Sequence, residues 1–254
     1  MGNINKKHYN RQYKTEIELK YKTNTRYLLF LADRLLKKAD CKEIRGALDV
    51  GCGSGIITAE LAKRLKKADV KGVDLSEVGI KRAVEKYSHV NNLSFYCNDA
   101  VTLTEDIKLS AENIDLITLF EVLEHIEDWK GMLSGLLNAY APKYVIISSP
   151  IGRMRDYEKN VGHYRNYKRG EIEYYMRKQG YAALDCYYAG FPFWSPICRD
   201  LLNLFRKNAV NVQESNENGM SSIDKAVSLI LFYLFRYCSC LRKGDQFIGL
   251  FKRK

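Results

Sequence analysis

No CxxC pair and no zinc-ligand spacing occurs among the seven cysteines, Cys41, Cys52, Cys97, Cys186, Cys198, Cys238 and Cys240. An odd number scattered in this way argues against a disulfide framework and points to reduced cytosolic thiols. The stretch from Met1 to His8 is polar and lacks the apolar core of a secretory signal, so the chain is expected to stay inside the cell. No internal repeat and no low-complexity tract is found. Nor is there an apolar run long enough to span a bilayer. As a helix, residues 226–241 would cover roughly 24 Å against a hydrocarbon core of ~30 Å, and Arg236 interrupts them.

What is present suits one sizeable α/β core: 254 residues with 46% hydrophobic content. Lys and Arg total 41 against 30 for Asp and Glu, a net charge of +11 that favours anionic partners. Residues 8–38 read as an N-terminal helical cover over the mouth of the next unit. From Gly46 onward, short apolar runs at 47–50, 70–73, 93–96, 114–120 and 144–148 read as strands. They alternate with helical patterns at 56–67, 77–87 and 130–140, which implies βα units on a parallel sheet. A helix at 171–178 and strands at 181–188 and 246–251 follow. The predicted organisation is a cover over 1–40, a core over 41–190, an apolar helical insertion over 191–244 and a final core strand over 245–254.

The sequence Asp49-Val50-Gly51-Cys52-Gly53-Ser54-Gly55 lies between an apolar strand and a helix, the setting of a nucleotide-binding loop. Glycine lets the backbone turn tightly and approach a ligand closely. A dinucleotide fingerprint needs a third glycine where Ile56 stands, so that rival fails. Gly72-Val73-Asp74-Leu75 ends the next strand at the right distance for a carboxylate on ribose hydroxyls. Asn98-Asp99-Ala100 places another acid after the third strand, at the sheet end where open α/β folds bind ligands. The plain alternative is that Asp49 and Asp99 cap turns or helices.

On these motifs the chain resembles the ubiquinone-biosynthesis-type branch of class I S-adenosylmethionine-dependent methyltransferases, from about Arg26 to Tyr188. The resemblance implies a Rossmann-like seven-stranded, mostly parallel sheet with helices on both faces and an antiparallel last strand. It assigns Asp49, Gly51 and Gly53 to the methionine part of S-adenosylmethionine, Asp74 with Leu75 to the ribose, and Asp99 with Ala100 to the adenine. Phe120 joins this cofactor set, as does Arg26, which sits where some relatives place an arginine on the cofactor carboxylate.

Phe120-Glu121-Val122-Leu123-Glu124-His125 is a further signature of the family. If a helix begins here, Glu121, Glu124 and His125 share one face at i, i+3 and i+4. With His163 they would match the metal set of small-RNA 3′-end 2′-O-methyltransferases, which chelates a vicinal diol; the catechol methyltransferases of the ubiquinone pathway are similar. Mg²⁺, Mn²⁺ or Zn²⁺ would suit such ligands. The same string also occurs in relatives with no known metal, and there His125 or His163 is the candidate general base. Cys52 reads as a small filler rather than a nucleophile.

Arg153, Arg155, Lys159, Arg165, Lys168 and Arg169, interleaved with Tyr157, Tyr164 and Tyr167, could grip a phosphate or remain a solvated loop. The apolar run at 226–241 must be buried, paired or laid into a membrane interface, with core packing the first expectation. The predicted reaction is O-methylation of a hydroxylated small molecule or saccharide, lipid- or phosphate-linked or neither, in the cytoplasm or peripherally at a membrane. RNA ribose methylation is the runner-up, although no RNA-binding module is recognisable. A non-catalytic S-adenosylmethionine-binding protein is the third reading.

Overall fold

The computed structural model describes residues 22–103, 113–206 and 220–254. The part of the expected cover before residue 22, and residues 212–219 of the expected polar loop, lie outside them.

Seven strands form one sheet in the order β3-β2-β1-β4-β5-β7-β6. They are β1 (Gly46–Val50), β2 (Asp69–Asp74), β3 (Leu93–Cys97), β4 (Leu116–Phe120), β5 (Tyr144–Pro150), β6 (Tyr181–Ala189) and β7 (Gln246–Arg253). The first five pair in parallel, and β7 runs antiparallel to both β5 and β6. The central strands are buried along their whole length. This is why they read as continuous apolar runs rather than alternating ones: helices cover both faces.

One face carries Ala47, Leu116, Ile146 and Leu250, covered by Tyr27, Leu31 and Leu35 of α1 (Thr23–Leu36) and Leu61 of α2 (Ile56–Arg64). The other carries Leu48, Ile117, Val145 and Phe247, covered by Leu133 and Leu136 of α4 (Trp129–Tyr140) and Met176 of α6 (Glu171–Lys178). Helix α1 therefore lies along a sheet face rather than over the strand ends, because Tyr27, Leu31 and Leu35 form a helical stripe that only a flat apolar surface can bury.

Local signals fix the helix starts. Ser76 Oγ accepts the Gly79 N–H at the start of α3 (Glu77–Tyr87), and Asp128 does the same for Gly131 in α4. A side chain on Gly131 would meet Asp128 Oδ2 at 2.2 Å, so the cap requires glycine there. A short helix, α5 (Asp156–Asn160), sits in the loop after β5.

Between β6 and β7 the chain makes an irregular turn over Phe193–Cys198 and then α7 (Arg199–Arg206) and α8 (Ser222–Cys238). Helix α8 starts four residues before the apolar run, because Ser221 and Asp224 cap it reciprocally. It is held to the body by Phe235, whose ring lies 5.7 Å from both Tyr27 and Trp194, and by a 2.9 Å hydrogen bond between Ser228 and Thr23. The expectation that the run packs wholly into a core fails. Only Ser228 and Phe235 are buried, while Ile223, Val227, Ile230, Tyr233 and Tyr237 are exposed. A helix that is apolar all round has more stripe than one sheet face and one neighbouring helix can cover.

Candidate active site

The turn after β1 is built from backbone conformations that only glycine adopts freely. Gly51, Gly53 and Gly55 have φ of 76°, 54° and 77°. A Cβ on Gly51 would stand 2.4 Å from Val122, and one on Gly55 2.6 Å from Phe95. The amides of Gly51 and Cys52 both donate to the Val73 carbonyl, and Gly53 N–H donates to Asp74 Oδ2 at 2.8 Å. The other Asp74 oxygen accepts from the Ser76 amide at 2.8 Å. Asp74 thus ties the glycine turn to the end of β2 and keeps further acceptor capacity on each oxygen.

Asp49 is buried beneath the same turn, accepting from Thr58 at 2.7 Å and Thr118 at 2.6 Å. Burial raises its pKa to about 6, the two threonine hydroxyls oppose the rise, and the Asp74 charge adds to it. Burial likewise raises Asp74. Two carboxylates close enough to repel each other make this end of the sheet acidic, which opposes a pyrophosphate and suits a nucleoside carrying positive charge. Cys52, half-buried beside them, has its thiol pushed well above its ordinary range by desolvation and the two carboxylates, which removes it as a nucleophile.

The remaining residues read for the cofactor lie on several different elements. Leu75 and Ala100 are half-buried beyond the ends of β2 and β3. Asp99 makes a turn, accepting the Val101 amide at 2.9 Å. Phe120 is buried in the core on the α1 side of the sheet. Arg26 is half-buried in the first turn of α1, which packs against α2.

Beyond β4 the expected helix face does not form. Leu123–His125 is a single tight 3-10 turn, and Glu121 lies outside it with φ of 56°, a left-handed conformation uncommon for glutamate. Its carboxylate is turned instead toward Ser148 and Gln246, each at 2.8 Å, fastening β4 to β5 and β7. Glu121 is therefore not one of the grouped metal-type ligands. That group is Glu124, His125 and His163, whose ligand atoms all lie within 4.8 Å of one another.

His163 reaches the group because the Tyr164 amide donates to the Glu124 carbonyl at 2.8 Å, while its own amide donates to the Glu158 carbonyl at 3.1 Å. The rings of His125 and His163 stand edge to face, 4.6 Å apart. Glu124 is fully buried, with Oε2 accepting from Ser149. Its Oε1 and the His163 Nδ1 are buried without a hydrogen-bond partner. Burial, and then the Glu121 charge, push Glu124 well above the ordinary carboxylate range. Burial lowers His163. A buried carboxylate oxygen left unsatisfied in a group with two imidazoles is what a divalent cation would repair.

The basic loop differs from its sequence reading as a phosphate grip. Arg155 is buried and paired with Asp200 and Asp245, and Tyr167 is buried against Trp129. Sequence reasoning also passed over Thr58, Thr118, Ser148, Ser149 and Gln246. For Thr118, Ser148, Ser149 and Gln246 the signal was a polar side chain inside or at the end of an apolar strand, and for Thr58 a polar side chain among the buried positions of α2.

Residues 47–143 match the family described as a methyltransferase domain. A ubiquinone biosynthesis O-methyltransferase of Coxiella burnetii is 36% identical over 107 residues, 42% of this chain and 43% of the relative. The chain thus aligns with less than half the length of the curated relatives it matches. Two solved structures share the fold. The methyltransferase domain of bacterial CtHen1 superposes with a TM-score of 0.55 at 18% identity, covering 90% of this chain and 98% of that one. Magnesium protoporphyrin IX methyltransferase from Synechocystis PCC 6803 with bound SAH does so with a TM-score of 0.53 at 17% identity, covering 91% and 84%. Residues 47–143 thus carry a methyltransferase domain, and the sheet order with its antiparallel β7 is the Rossmann-like fold of the solved methyltransferases.

Proposed function

We propose that the protein methylates a hydroxyl of a small-molecule or saccharide acceptor that offers two neighbouring oxygens. The observation that carries this is the pairing of an acidic glycine turn with the Glu124, His125 and His163 group at the same end of the sheet. When bound, S-adenosylmethionine supplies an electrophilic methyl on a sulfonium. Asp49 and Asp74 balance positive charge beneath the turn, and Asp74 and Asp99 offer acceptors to ribose and adenine.

Glu124, His125 and His163 would hold a divalent cation, whose chemistry there is to polarise an acceptor oxygen and ease loss of its proton. Without it, the His163 imidazole, which burial keeps neutral, can receive that proton. Displacement at a sulfonium methyl needs positioning more than covalent help, so the closely held imidazole pair suits the task.

Isothermal calorimetry with S-adenosylmethionine and with a nicotinamide dinucleotide tests the donor. Binding of the first alone is expected, and preference for the dinucleotide would overturn the reading. Turnover of a panel of catechols, saccharides and a ribose-terminated RNA then separates the acceptor classes.

A further inference from the structure

Helix α8 turns Phe235 and Ser228 inward and carries Ile223, Val227, Ile230, Tyr233 and Tyr237 outward. Steps of four, three, three and four residues make these one straight stripe along the helix. Ile223, Ile230 and Tyr237 are 75%, 67% and 69% exposed, so the stripe is uncovered from end to end. Over the 17 residues of the helix it runs about 25 Å. Soluble surfaces carry such residues singly, and a continuous band of them marks a contact. Ile197, Leu201 and Leu204, at and along α7, repeat the pattern and are exposed as well.

The chemistry around the stripe selects what it meets. Tyr233 and Tyr237 stack at its C-terminal end, 6.0 Å apart and 6° from parallel, each an apolar ring with a polar tip. Arg236 lies at the edge of the stripe, its guanidinium 5.1 Å from the rings of both Phe30 and Tyr237. Exposed Lys243 follows the end of the helix, next to Arg242, which is paired with Asp185 at 3.2 Å. The acid on this helix, Asp224, is engaged in the cap with Ser221. No described helix is long and apolar enough to cross a membrane.

We infer that α8 lies flat on an anionic phospholipid surface, with its stripe at the acyl boundary and Arg236 and Lys243 among the headgroups. A second copy of the chain is a poorer occupant, since it would bring two surfaces of net charge +11, and two Arg236 edges, together. The inference is independent of the reaction proposed above.

Full-length protein is sedimented with vesicles of phosphatidylcholine alone and with phosphatidylglycerol added, alongside the variants V227E/I230E and R236Q/K243Q. The wild type should pellet with the anionic vesicles and not the neutral ones. The first variant should lose at least about tenfold in affinity with an unchanged thermal melt, and the second should weaken binding and its salt dependence. Absence of wild-type binding to anionic vesicles, or equal binding by V227E/I230E, would overturn the inference. So would a wild-type dimer in light scattering that V227E/I230E converts to monomer, which would assign the stripe to a second copy.

Discussion

Arg199 of α7 and Glu158 of α5 meet in an ion pair in which both side chains are only 2% exposed, joining the insertion to the loop that carries His163. Burial alone would raise Glu158, but the Arg199 charge and hydrogen bond hold it below the usual carboxylate range. Removing one partner of such a pair leaves an uncompensated buried charge. Arg199→Met should therefore cost about 3–5 kcal/mol, and adding Glu158→Gln to it should recover part of the loss. Urea midpoints of the two singles and the double decide this; a single variant costing under about 1 kcal/mol would show that the pair is not buried in solution.

Stability should fall as pH rises toward neutrality. Burial raises Asp49 from an ordinary 3.8 to about 6, so between those values the folded protein holds a proton that the unfolded chain has released. Stability is then greatest below pH 4 for this group, and the penalty is complete above pH 6; its size is about 3 kcal/mol at most. Asp74 adds in the same direction. Asp49→Asn, which still meets Thr58 and Thr118, should flatten the decline in chemical denaturation measured from pH 4.5 to 7.5. An equal slope in wild type and variant would place the effect elsewhere.

Gly51→Ala should abolish donor binding while leaving a folded protein. Its φ of 76° strains any side chain, and the new Cβ would stand 2.4 Å from Val122. Strain of this kind is on the order of 1–3 kcal/mol before the clash is counted. Val122→Ala in the same chain should restore part of the affinity, because it removes the clash and not the strain. Calorimetric titration of both variants provides the check.

Metal retention should depend on Glu124 and His163 but not on Glu121. Equilibrium dialysis against Mn²⁺ is expected to show at least about tenfold weaker binding for Glu124→Gln and His163→Ala, and little change for Glu121→Gln. Equal retention by all four proteins would leave His125 and His163 as general-base candidates without a metal.

The regular part of the fold was readable because local signals agree with it. Helix α3 over Glu77–Tyr87 and helix α6 over Glu171–Lys178 begin and end where the apolar period and the flanking residues place them. The strand runs stood out because both faces of the sheet are covered. Helix α8 began earlier than its apolar run because Ser221 and Asp224 spell a cap that hydrophobicity does not register.

The site was readable in part. Glycines and acids at consecutive strand ends announce themselves by spacing. Glu121, Glu124 and His125 suggested one helical face, but a left-handed residue at Glu121 breaks the period, and no sequence rule for helices foresees it. The Arg199–Glu158 pair is separated by 41 positions, and Arg155 looked like a ligand grip because its partners are distant in sequence, Asp200 in the insertion and Asp245 just after it. Long-range charge pairing carries no periodic mark.

Strand β6 has a single neighbour in the sheet, β7, which also completes β5. During synthesis β6 leaves the ribosome before its neighbour exists, and the helices of the insertion must follow before β7 can arrive. The nascent chain therefore carries the open edge of β5, an unpaired β6 and an apolar helix together for the whole of that interval. The parallel half from β1 to β5 can assemble first, with the last strand closing the sheet like a bolt. Late closure makes β7 the step at which chaperones have most to protect.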